Sequence, residues 1–295
     1  MSSAFSHRLT RRHRTPYIHG MAAEVHFTAW GLQGFYDAPL GAVTRRILRA
    51  RLRQLWPELT GREVLGLGHA GPYLRLWRRG AARLVSATPV ALAAWDGMAP
   101  WPLDGACAAS MVEEDRLPFA DLSFDNILLV HGLEAAENAR RLLREAWRVL
   151  RPEGRMLAVV PNRRSVWAHL ERTPFGHGQP YSPGQLARLL ERSMFTVERR
   201  DAALFIPPFG LRPLLRGARL WEAAGQALAP QLGGVTLIEA RKTVQAVIPA
   251  GGVPARALAA RRRVRVPQPG WAGLDEAAGA ARRSSGPAGE PKGTA

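Results

Sequence analysis

A single cysteine, Cys107, occurs in 295 residues. One thiol excludes an intrachain disulfide and any cluster of thiolate metal ligands. No metal site is expected, and a reducing, cytoplasmic setting is. Apolar residues make up 46% of the chain, enough for a sizeable core. Yet no uninterrupted apolar run approaches the ~20 residues of a membrane-spanning helix. The basic N-terminus also lacks the apolar stretch of a secretory signal. Acids are scarce too: 24 Asp and Glu face 41 Lys and Arg, a formal charge of +17.

That excess is unevenly spread. Residues 1–20 carry Arg8, Arg11, Arg12 and Arg14 and no acid, while residues 243–295 carry eight bases against Asp275, Glu276 and Glu290. The two ends supply +4 and +5, leaving +8 for the middle. The leader reads as a transit peptide or, the favoured reading, as sequence ahead of a start at Met21. Residues 243–295, rich in Ala, Gly, Pro and Arg, read as a disordered tail. Arg261, Arg262, Arg263 and Arg265 would attract phosphates. No helix-turn-helix, zinc-ligand spacing or RNA-binding aromatic signature accompanies them, so a nucleic-acid partner has no motif behind it. Three segments result: 1–20, a folded 21–242, and 243–295.

Within the folded segment, strand and helix patterns alternate. Residues 40–56 read as a helix, with Val43, Ile47, Leu52 and Leu55 recurring between arginines. Strands follow at 63–67, 83–87, 107–112, 124–130, 155–160, 195–199 and 234–241. Helices are expected at 73–79, 90–95, 137–150 and 183–193, the last capped by Ser182. Pro152-Glu153-Gly154 reads as the turn between the 137–150 helix and the next strand. Such alternation argues for βαβ units, and hence a mostly parallel twisted sheet with helices on both faces.

Four short runs then occur in order: Leu117-Pro118-Phe119, Ser123-Phe124-Asp125, Leu142-Leu143-Arg144-Glu145, and Arg148-Val149-Leu150-Arg151-Pro152-Glu153-Gly154-Arg155. Together they resemble the signature of type 11, class I S-adenosylmethionine (SAM)-dependent methyltransferases. Upstream, Val64-Leu65-Gly66-Leu67-Gly68-His69-Ala70-Gly71 is similar to the family's first motif, a loop whose small residues let backbone approach a cofactor. The resemblance implies a Rossmann-like fold over about residues 35–242, SAM as cofactor, and a small-molecule acceptor. It implies cofactor contacts at Gly66, Leu67, Gly68, Ala70, Ser86, Glu113 and His131. The chain departs from the pattern where Gly66 and Ser86 stand in for two acids. A catalytically impaired binding module is therefore the alternative.

Methyl transfer from a sulfonium mainly requires positioning, with a base only where the acceptor holds its proton tightly. His131 follows the 124–130 strand at its carboxyl end, where open α/β sheets bind ligands. It and His177 are the candidate bases. Glu134 reads as a charge at a helix start. A long loop at 161–182, rich in Gly, Pro and aromatics, offers Asn162, Trp167, Arg172, Phe175, His177 and Tyr181 as acceptor contacts. Tyr36, ahead of the first helix, joins them.

Overall fold

The computed structural model describes residues 31–96, 101–102 and 108–243. The basic leader with Met21, Cys107, the tail beyond residue 243 and its arginine tract lie outside the described residues. The chain runs α1 (Leu32–Asp37), α2 (Pro39–Leu55), β1 (Glu63–Gly68), α3 (Gly71–Leu74), β2 (Arg83–Pro89), α4 (Val90–Asp96), β3 (Ala109–Val112) and β4 (Phe124–Val130). It continues through α5 (Ala139–Val149), β5 (Leu150–Pro161), α6 (Pro183–Arg192), β6 (Phe195–Ala203), α7 (Arg212–Arg216), α8 (Ala218–Leu228) and β7 (Val235–Lys242).

The seven strands form one sheet in the order β3-β2-β1-β4-β5-β7-β6. β7 runs antiparallel to both of its neighbours, and the other pairs are parallel. Both faces are covered, which is why the inner strands are apolar at successive positions instead of alternating with polar ones. Val64, Leu128, Leu157 and Leu237 pack on the side of α2, with Leu48 and Leu52. Leu65, Ile127, Met156 and Ile238 pack on the opposite side, under Leu142 and Leu143 of α5 and Leu186 and Leu190 of α6. Period-two alternation along each strand produces this division.

Three features differ from the sequence expectation. The 73–79 helix is a single α turn followed by a 3-10 turn at Arg75–Trp77, and the Trp77 indole donates to the Trp56 carbonyl at 2.9 Å. The Pro152-Glu153-Gly154 run does not end an element. It is an irregularity inside β5, where the register shifts against β4 and Glu153 takes φ 60°. Finally, α1, α7 and α8 form where the sequence pattern predicts no helix. α1 and α7 are six and five residues long, too short for a 3.6-residue period to emerge.

The family-like runs have a structural task. Glu145 accepts from the Leu117 N–H at 2.8 Å and from Arg148 at 2.7 Å. Arg148 also donates to the Leu117 and Phe119 carbonyls at 2.9 and 2.8 Å, so the pair clasps the 117–119 loop to α5. Asp125 likewise takes the Glu63 N–H and Arg151, each at 2.8 Å. Arg148→Ala removes the donor to the Leu117 and Phe119 carbonyls and to the carboxylates of Glu145 and Asp121. A loss of about 2–4 kcal/mol is expected in denaturant unfolding.

The same contacts set an acid limit. The Arg148 hydrogen bond holds the Glu145 carboxyl below its ordinary value. Burial pushes the Asp125 carboxyl up, but the Glu63 N–H and Arg151 outweigh it and hold it below the usual range. A carboxyl depressed in the folded state stabilises the fold above its unfolded pKa of about 4. That contribution is lost as pH falls through the folded value. Melting temperatures between about pH 5 and 2 are expected to fall less steeply in Glu145→Gln than in the parent.

Candidate active site

The carboxyl edge of the sheet is organised by one tight turn. Gly68 ends β1 with φ +85°, and a Cβ there would lie 2.2 Å from the Val130 carbonyl oxygen. Glycine alone permits this approach. It lets the His69 N–H reach the same carbonyl at 2.7 Å, coupling the β1–α3 loop to the end of β4. His131, the first residue after β4, adopts φ 53°, a sparsely populated conformation for a side chain of this size.

Three buried side chains form a chain of hydrogen bonds from that point. His131 Nδ1 lies 2.8 Å from Glu134 Oε1, and His131 Nε2 lies 2.8 Å from the Tyr36 hydroxyl. The His131 and Glu134 side chains are 2% and 0% exposed. A carboxylate only accepts, so Nδ1 is the donor, which leaves Nε2 to accept from the tyrosine. Glu134 is thus no helix-start charge: α5 begins at Ala139, capped by Asn138.

Aromatic rings enclose this chain. Tyr36 stacks on His69 at 4.9 Å with the planes 9° apart. Phe175 lies 5.0 Å from the His131 ring and 5.2 Å from Trp167. The loop bearing Phe175 is tied down where Gln179 donates to the Glu134 carbonyl at 2.9 Å, and Trp167 is anchored by its indole on the Ile206 carbonyl at 2.9 Å. Burial, then the neighbouring Tyr73, pushes the Tyr36 phenol well above its ordinary pKa. Burial, with His131 and Arg45 adding to it, brings His69 down to about 3. His69 is therefore an uncharged ring at neutral pH.

The remaining sequence candidates are scattered around this centre. Leu67 faces the α5 side of the core. A Cβ on Gly66 would meet Leu74 at 2.7 Å and Ala70 at 2.8 Å, so apolar atoms fill the place of the missing acid. Ser86 is buried and pairs in register with Gly66, two residues inside β2 from Thr88. Glu113 is exposed just beyond β3. Asn162 spends its amide within the chain, donating to the Gln231 and Gly233 carbonyls and accepting from the Arg164 N–H. Arg172 is exposed, and His177 is bonded to the Glu171 carbonyl. Tyr181 borders a cavity of about 460 Å³ with Arg140, Arg163 and Gln185.

Sequence reasoning missed Glu134 as a partner, although its i,i+3 spacing from His131 was visible. It also missed Trp101, whose ring would lie 3.2 Å from a Cβ on Gly71. A lone tryptophan in a Pro/Gly-rich stretch carried no signal.

A family model described as a methyltransferase domain matches residues 65–158, from β1 through most of β5. Residues 65–158 are thus a methyltransferase domain. Solved structures agree with the fold. The chain is 16% identical to a SAM-dependent methyltransferase of Thermotoga maritima, covering 72% of this chain and 94% of that one, with a TM-score of 0.50. It is 20% identical to a chain from the complex of the Haloferax volcanii Trm112 methyltransferase activator with a methyltransferase, covering 70% and 95%, with a TM-score of 0.51. No curated protein matches the chain at a significant level. The match ends inside β5, and β7 and β6 complete the sheet beyond that strand. Among the described residues, no helix is long and apolar enough to cross a membrane.

Proposed function

We propose that the chain transfers a methyl group from SAM to a small-molecule acceptor, with His131 taking the acceptor's proton. The observation that carries this reading is the buried Tyr36–His131–Glu134 hydrogen-bond chain beside the Gly68 turn. Support for the cofactor comes from the turn itself and from buried polar atoms without partners around it: His69 Nε2, Trp101 Nε1 and Glu134 Oε2. Buried polar atoms of this kind call for a ligand or water. The residues therefore fit SAM, with the His69–Gly71 backbone and the His69 and Trp101 side chains in place of the usual acids. SAM, when bound, supplies an electrophilic methyl on a positively charged sulfur.

The chain's own residues account for the rest. Glu134 holds His131 in the tautomer whose Nε2 lone pair is available. An acceptor O–H or N–H that displaces the Tyr36 hydroxyl would deliver its proton to that nitrogen. His69, kept neutral by burial, puts no cation beside a sulfonium. Phe35, Tyr36, Phe175 and Trp167, all buried, exclude water from the reacting centre.

Calorimetry with SAM and S-adenosylhomocysteine on the full chain tests this reading. Saturable binding of either is expected. Well-folded protein that binds neither would overturn it and leave the binding-module alternative, which rests on Gly66 and Ser86 lacking carboxylates.

A further inference from the structure

The 204–234 segment, which carries α7 and α8 between β6 and β7, has its polarity reversed. Glu222 of α8 points inward, and its carboxylate accepts from the backbone N–H groups of Leu204, Phe205 and Ile206 at 3.1, 2.6 and 3.3 Å. Gly225 lies on the same inner side, where a Cβ would meet the Phe205 ring at 2.3 Å. The outer side is apolar. Leu220, Trp221, Ala224 and Leu228 fall within about 100° of arc at 3.6 residues per turn. Leu220 and Leu228 are 77% and 83% exposed. Six of the eleven exposed large apolar side chains among the described residues lie between Phe209 and Leu232. Beside them, Phe209, Trp221, Leu228 and Val166 border an apolar depression of about 390 Å³.

The flank of this stripe is cationic. Arg212, Arg216 and Arg219, with Arg46 of α2, border a second cavity of about 730 Å³ between α2 and the α7–α8 pair. None of these four has an ion-pair partner among the described residues, whereas Arg51 nearby is paired with Asp201. Glu222, the acid on this wall, is committed to backbone amides. A helix with Leu and Trp outward, edged by unpaired arginines, has the composition of an interfacial helix. Single exposed apolar residues are ordinary, but a contiguous patch marks a docking surface.

We propose that the 204–232 segment docks on an anionic lipid bilayer. Leu220, Trp221, Leu228 and Phe209 enter the acyl boundary, and Arg212, Arg216 and Arg219 meet headgroup phosphates. Charge favours a lipid over a second copy of the chain. An isologous dimer across this face would bring its unpaired guanidiniums together, whereas an anionic surface neutralises them at about a fivefold gain in partitioning per arginine. The proposal does not rest on methyl transfer.

The test is co-sedimentation of the full chain with vesicles of phosphatidylcholine alone or mixed with phosphatidylglycerol. Binding to the mixed vesicles is expected, with at least about tenfold weaker partitioning for L220D/L228D. R212Q/R216Q/R219Q should weaken it about a hundredfold. These positions are exposed, so the melting temperatures should match the parent's, which separates lost docking from lost folding. Equal binding by the parent and L220D/L228D would overturn the proposal and assign the affinity to the arginine-rich ends. Absence of binding would overturn it as well. So would self-association in analytical ultracentrifugation that L220D/L228D removes, since a second copy would then cover the face.

Discussion

Replacing Gly68 by valine is expected to abolish SAM binding and to lower the melting temperature by roughly 10 °C. Two costs combine. The backbone sits at φ +85°, which a β-branched residue occupies only with strain of about 1–3 kcal/mol. A Cβ would also lie 2.2 Å from the Val130 carbonyl oxygen, so the turn must open, adding about 1–3 kcal/mol more. Opening it breaks the His69 N–H bond to Val130 and moves the loop away from His131. Gly210 provides the contrast, because nothing lies within 4 Å of a Cβ there. Gly210→Ala should leave both binding and melting unchanged. Calorimetry and thermal unfolding of the two variants decide the matter, and a Gly68→Val protein that melts with the parent would show the turn is not what organises the site.

Glu134→Gln is expected to lower kcat by about 10²–10⁴-fold while leaving the affinity for SAM nearly unchanged. The substitution keeps the volume of a fully buried side chain. It replaces an obligate acceptor with a group that can also donate, so Nδ1 can accept and the proton moves to Nε2. Nε2 then has no lone pair for an incoming proton. His131→Asn should cost a similar factor, and asparagine is chosen because it tolerates the left-handed backbone at φ 53°. An acceptor series separates this role from a structural one. Acceptors that ionise readily should be methylated by both variants at near-parent rates, while weakly acidic ones should not. A uniform loss across the series would mean that the pair only supports the fold.

Much of the scaffold is legible in the sequence. The 124–130 strand has in the structure the limits its sequence predicts, because Phe124 and the apolar run Ile127–Val130 lie between a polar turn and a histidine and leave little choice. Ser182 caps α6 as its position ahead of Pro183 implied, with Gln185 closing a capping box. The signature runs were legible as a pattern, but their work was not. That Glu145 and Arg148 clasp the 117–119 loop depends on distances between groups 28 to 31 residues apart.

The sequence by itself determined a mostly parallel α/β sheet, the methyltransferase-like runs within it, and the glycine turn at the end of β1. Local propensity, hydrophobic period and turn chemistry are carried by adjacent residues. Tertiary structure decided what meets what. Tyr36 and His131 are 95 residues apart, and no local pattern announces that a short helix will bring one to the other. The same holds for α8, a helix absent from the sequence expectation: even once its residues are known to be helical, the 3.6-residue period does not say on which side its apolar stripe falls. Glu222, drawn inward to the amides of Leu204, Phe205 and Ile206, and Gly225 against the Phe205 ring leave that stripe facing solvent.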